Sequence, residues 1–205
     1  MRITFVSLFI GFSLAAFSQS DNTNSPYSRY GYGVLADQTF ASQRGMGGIG
    51  YGLRNSQIIN PLNPASFSAV DTMTFMLDFG IKGQAGLIKD NAYGSARRYN
   101  GGLEYLAIQI PLSKGLGMGI GIEPVSFVGY QYGDTTHVTS SDIASKISNG
   151  KGGLSKVYGT LSYNLFKRLS LGVNVGYLFG DVVHDLTTSF NTSSPYTSAW
   201  IDSLR

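Results

Sequence analysis

The residues that could do chemistry are few and poorly spaced. His137 and His184 have Asp134, Asp181 and Asp185 near them in sequence, but none of these falls into the closely spaced ligand pattern that a metal site requires. The chain contains no Cys, which removes thiolate ligands, disulfides and a lipid-modified cysteine. Ser148-Asn149-Gly150-Lys151 fits a Ser-x-x-Lys spacing, but it lies in a Gly-rich stretch expected to be a surface loop. Gly45-Met46-Gly47-Gly48-Ile49-Gly50 matches the glycine fingerprint of nucleotide sites. That fingerprint needs a hydrophobic strand before it and a helix after it; here Ala41-Ser42-Gln43-Arg44 precedes it. The sequence therefore reads as a non-enzyme with no cofactor and no metal. Three cations remain, Lys82 and the pair Arg97 and Arg98, and each could hold a ligand carboxylate by charge-assisted hydrogen bonding. The alternative is a solvated lumen and a surface loop.

The elements that must position these residues are strands. Over Leu169–Phe179 the odd positions are Leu169, Leu171, Val173, Val175, Tyr177 and Phe179, and the even ones begin Ser170, Gly172, Asn174 and Gly176. The preceding arm sets Val157, Leu161, Tyr163 and Leu165 against Lys156, Tyr158, Thr160, Ser162 and Asn164, with Phe166-Lys167-Arg168 as a tight turn. Alternation with a period of two puts successive side chains on opposite faces of a sheet. Arms longer than the ~5–6-residue globular strand suit tilted strands that cross a bilayer with an apolar outside and a small, polar inside. A soluble antiparallel sheet with one buried face is the alternative.

Composition agrees with the membrane reading. The chain of 205 residues is 42% hydrophobic and only 13% charged, with 27 Gly and a net charge of +3, whereas about a quarter of residues are charged in ordinary soluble domains. No basic run is present, so nucleic acid is not an expected partner. Met1–Ser18 has a positive start, an apolar body and the small-x-small site Ala16-Phe17-Ser18, the pattern of a cleaved export signal. No later stretch is long and apolar enough for a spanning helix, so membrane crossing falls to strands.

Residues 19–70 have no sustained period but are rich in Gly, Asn, Ser, Pro and Tyr. A structureless segment of this length with many apolar residues is best accounted for as a plug, or hatch, packed inside a larger frame. Residues 71–205 then form strands: Thr72–Leu87; Gly102–Leu112, whose two faces are both semi-apolar; and Leu116–Tyr130, whose phase breaks at Glu123-Pro124. Proline cannot donate to a ladder, so a bulge or kink is expected there. The connections alternate long and short, with Asn91–Asn100 and Tyr132–Gly153 expected as polar loops; external loops are long and periplasmic turns short in outer-membrane barrels. Tyr99, Tyr130, Tyr132, Tyr158 and Tyr177 are expected in interfacial girdles.

The glycine run that ends at Gly50, followed by Asn63-Pro64-Ala65 just before the first strand, resembles the N-terminal hatch of the FadL family of outer-membrane transporters, and Asn24–Gly33 with Asn60–Phe67 is similar to a FadL-like branch common in Bacteroidota. The hatch residues of that resemblance are Gly45, Met46, Gly47, Gly48, Gly50, Asn63, Pro64 and Ala65. The resemblance implies passive uptake of fatty acids or aromatic hydrocarbons, with a lateral exit at the kinked third strand, for which Glu123 and Pro124 are the candidates. An ordinary bulge without transport meaning is the alternative at that place.

The expectation is thus an all-β, antiparallel transmembrane β-barrel with an N-terminal hatch, exported to the outer membrane. About five or six strands are recognisable where closed barrels begin at ~8, so the chain reads as the N-terminal part of a barrel similar to the family's fourteen-stranded members. Its expected partners are outer-membrane lipid, a hydrophobic small-molecule ligand and the outer-membrane assembly machinery. The alternative function is a non-transport barrel acting as a structural, assembly, secretion or adhesion component.

Overall fold

The computed structural model describes residues 23–90, 94–137, 143–166, 168–191 and 197–204. The expected signal, Met1–Ser18, lies outside them. The short strand β1 (Val34–Leu35) and the single helical turn α1 (Ala41–Arg44) precede six long strands: β2 (Met76–Asp90), β3 (Gly94–Ser113), β4 (Leu116–His137), β5 (Ile143–Phe166), β6 (Leu169–Asn191) and β7 (Thr197–Leu204). The long strands form one antiparallel sheet in chain order, and β1 adds to β4. The sheet is open, with β2 and β7 at its edges.

Its polarity is inverted. On β6 the residues Leu171, Val173, Val175 and Tyr177 are all exposed, Val175 at 71%. On β5 Val157, Leu161, Tyr163 and Leu165 are exposed, while Tyr158, Thr160 and Ser162 on the opposite face are buried. Phe75, Leu77, Phe79 and Ile81 extend the exposed apolar face along β2 and the residues before it. A water-soluble sheet would bury that face and expose the other.

The strands run well past the apolar belt. The stretches expected as polar loops, Asn91–Asn100 and Tyr132–Gly153, are mostly hairpin: β3 begins at Gly94, β4 continues to His137 and β5 begins at Ile143. Ser148, Gly150, Lys151, His184 and Asp185 are consequently strand residues. Polar residues lie on both faces of these extensions, so they lack a sustained hydrophobic alternation in sequence and are defined mainly by their ladders, although Tyr132 and Val182 join Val128 and Tyr130 in a small inward apolar cluster.

Two bulges explain the irregular phases. Between Gly80↔Tyr105 and Ile81↔Leu103 the register skips Glu104. The apolar set therefore changes parity, from Leu103 to Leu106, Ile108 and Ile110, and the strand reads as semi-apolar on both faces. Between Pro124↔Ser155 and Ser126↔Leu154 the register skips Val125. Inward residues are odd before it, from Gly117 to Glu123, and even after it, with Ser126, Val128 and Tyr130.

Candidate functional site

Residues 23–70 run down the inner face of the sheet from the long-hairpin end to the short-turn end. At the far end Ser25 donates its backbone N–H to Gly129 O at 3.1 Å, and Gly129 returns its own to Ser28 Oγ at 3.2 Å. Next, β1 pairs Val34 with Phe127 and Leu35 with Ser126, and the Ala36 N–H donates to Val125 O at 2.8 Å. In mid-sheet Phe40 stacks on Tyr105 with ring centroids 3.8 Å apart. Phe40, Ile59, Phe67, Tyr105, Ala107 and Tyr158 make the buried apolar cluster. Near the short turns Phe67 accepts a hydrogen bond from Gln109 Nε2 at 3.1 Å through its carbonyl.

Glycine makes room for this packing. Tyr105, Tyr158 and Tyr130 lie directly across the ladder from Gly80, Gly121 and Gly150, and each ring covers the place where a Cβ of its glycine partner would stand. Gly117 and Gly119 do the same for the backbone and ring of Phe67, and Gly172 for Pro64-Ala65. An aromatic ring over a cross-strand glycine restores the packing that the missing side chain forfeits. Tyr130 and Tyr158 are thus buried and outside any girdle, whereas Tyr99 and Tyr177 are exposed.

The expected hatch residues serve this seating. Gly45 caps α1, Gly47 and Gly48 have positive φ, and Met46 is exposed. Gly50 lies against Leu62, and its carbonyl accepts from Asn60 Nδ2 at 2.7 Å. Asn63-Pro64-Ala65 opens the 3-10 turn Pro64–Ala69. These are packing duties that any segment pressed onto a sheet can impose, and they carry no family signature.

The charged groups cluster at the two bulges. Glu104, the extra residue of β3, meets Arg44 Nη1 at 2.6 Å, and Arg44 Nε lies 3.0 Å from Asp37. The Asp37 carboxyl is held below its usual range, chiefly because the Thr39 hydroxyl donates to it at 2.6 Å, with the Thr39 N–H and Arg44 adding to the effect. Glu123, 4% exposed, pairs with Lys156 at 2.7 Å. Gln38 accepts from Lys156 Nζ at 3.3 Å and donates to Pro124 O at 3.0 Å.

These contacts surround a gap in the sheet. The β3–β4 ladder runs from Ser113↔Leu116 to Leu106↔Ile122 and stops, although both strands continue. Above that point β1 lies along β4, while Asn24 Nδ2 donates to Asn100 Oδ1 at 2.6 Å and Arg44 holds Glu104 on the β3 side. The N-terminal segment therefore bridges the gap. Of the sequence candidates, Glu123 and Pro124 line it directly. Lys82 borders it 3.9 Å from Glu104, beside a cavity of about 20 Å³ that also touches Leu103 and Phe127. That volume admits a water molecule. Arg97 and Arg98 sit farther up, on β3 opposite Leu87 and Gly86, and do not join Lys82. Sequence reasoning missed Arg44, Glu104 and Gly33; the doubled parity of β3 was the readable signal for Glu104.

A BamG family model matches residues 1–200. The chain belongs to the BamG family. This is an outer-membrane assembly-related family, and it replaces the FadL resemblance, whose glycine run and Asn-Pro-Ala motif are packing features. No curated protein and no solved structure matches the chain.

Proposed function

We propose that this chain is a non-transport component of the outer-membrane assembly machinery, embedded by its strands. The exposed apolar face of β2–β6 meets lipid, and the sheet closes with further strands into a barrel. Residues 23–70 act as its hatch. The observation that carries the reading is the inverted polarity of the sheet, apolar outside and Gly- and polar-lined inside, which in water would be an aggregation surface. The belt from Leu169 to Phe179 has the ~9–11 residues of a tilted crossing. BamG membership supports the assembly role and favours the outer membrane as location and its assembly machinery as partner.

Depletion in the native host tests the role. Newly made outer-membrane β-barrels should accumulate unfolded, and an affinity tag on this chain should co-purify the core assembly barrel from membranes. Normal barrel assembly together with loss of uptake of a radiolabelled fatty acid would overturn the reading in favour of transport.

A further inference from the structure

We propose that the outward face of the β2–β3 hairpin carries a binding site for the phosphate of a lipid headgroup, formed by Lys89, Ser95 and Arg97, with Leu87 and Tyr99 below it against the acyl chains. Arg97 and Arg98 are adjacent in sequence but stand on opposite faces of β3. Asn100 lies on the inner face, where its side chain accepts from Asn24, while Leu103 is exposed on the outer one. Alternation therefore groups Arg98 with Asn100, and Arg97 with Tyr99 and Leu103. On β2 Ile81, directly across from Leu103, belongs to the same outward row, which continues through Gly83, Ala85 and Leu87 to Lys89. The register sets Ala85 across from Tyr99, Leu87 across from Arg97 and Lys89 across from Ser95. Lys89 and Arg97 are thus diagonal neighbours, about 7–8 Å apart at the backbone and within joint reach of one phosphate.

Position along the hairpin singles these residues out. The outward residues of β2 from Leu77 to Leu87, and of β3 from Tyr99 to Leu112, include no charge. Each row then ends in one cation, Lys89 or Arg97, at the end of the hairpin away from the short turns. An apolar row, then an exposed tyrosine, then cations is the order of a lipid-facing wall that passes from acyl chains into headgroups. Lys89 and Arg97 are both exposed, and neither has an ionic partner among the described residues. Asp90 takes the other parity, across from Gly94, and Asn91, Ala92 and Tyr93 bring no carboxylate. The neighbouring hairpin differs. On the outward face of β5 and β6 the exposed Lys151 and Asp181 occupy diagonal positions, so opposite charges offset each other there. Two cations without a neutralising acid beside lipid call for an anion, and a guanidinium fork with an ammonium and a hydroxyl matches a phosphate. This inference rests on the reading that the exposed apolar face meets lipid, and it names the class of lipid met.

The test uses the full chain purified in detergent from its native membranes, with native mass spectrometry counting the lipids it retains. The probes are a lipid A that carries two phosphates and the same glycolipid without them. The phosphorylated form should be retained in preference. Lys89→Gln with Arg97→Gln should lower that retention about fivefold for each cation, roughly thirtyfold together. Lys89→Arg, which keeps the charge, should preserve it, and Lys151→Gln should leave it unchanged. Equal retention of the two glycolipids, undiminished retention by the double glutamine variant, an equal loss in Lys151→Gln, or displacement by equimolar inorganic phosphate, the mark of a free-anion site, would each overturn the proposal. Extraction of the membranes with alkaline carbonate tells this failure from that of the membrane reading. If the chain stays in the membrane and the double variant keeps its lipid, the headgroup site falls and embedding stands; if the chain is extracted, embedding itself falls.

Discussion

Phe67→Ala should detach the N-terminal segment from the sheet near the short turns, and a second substitution should partly reverse the effect. Phe67 is completely buried, with its ring over Gly119 and its backbone over Gly117. Burial of a phenylalanine side chain contributes about 1.5–3 kcal/mol, and the cavity left by truncation brings the cost to about 3–5 kcal/mol. At about 1.4 kcal/mol per factor of ten, that is roughly a hundredfold to a few thousandfold faster hydrogen exchange of the Ser66–Val70 amides if they open locally. Gly119→Ala alone places a methyl group against the Phe67 ring and should cost about 1–3 kcal/mol by overpacking. In the Phe67→Ala background the same methyl occupies vacated space, so its effect should shrink to near zero or change sign. Exchange measured by mass spectrometry in micelles on the native chain, both single variants and the double variant closes the cycle. Additive effects would show that the two residues are not in contact, and the placement of the N-terminal segment on β4 would be wrong.

Tyr158→Phe should leave stability unchanged or raise it by up to about 1 kcal/mol, because the buried Tyr158 hydroxyl has no hydrogen-bond partner among the described residues; urea unfolding in vesicles measures this, and a loss above ~2 kcal/mol would mean a bond to that hydroxyl was missed. The Asp37 carboxyl should titrate below the ordinary aspartate range by NMR. Since its folded value is depressed, its contribution to holding the N-terminal segment is present above the unfolded value and is lost as pH falls through the folded one; Thr39→Ala should move the midpoint back up, and no movement would remove the hydroxyl as the cause. With long hairpins outside and short turns inside, Tyr30→Cys should react with a membrane-impermeant maleimide on intact cells and Lys114→Cys only after permeabilisation. The opposite labelling would invert the orientation.

Arg44 is the residue that most rewards comparison with its sequence context. In sequence it is one cation before a glycine run, and nothing local distinguishes it from Arg54. Only the fold brings it to Glu104, sixty residues away, because a bulge turns that carboxylate toward the N-terminal segment. The same holds for Tyr130 and Tyr158, which composition assigns to girdles; their burial depends on facing Gly150 and Gly121, and cross-strand register is not a local property.

What the sequence determined by itself is the all-β class, the strands within the apolar belt, the face each presents and the break of phase at Glu123-Pro124. These follow from a period of two, which a strand must show wherever one face is apolar and the other is not. Tertiary structure alone decided the rest: the strands beyond the belt, whose faces are too mixed to carry a sustained period; the end of the β3–β4 ladder at Ile122; and the N-terminal residues that fill the gap. Those depend on which backbone edges meet, and backbone hydrogen-bonding groups are the same at every residue but proline.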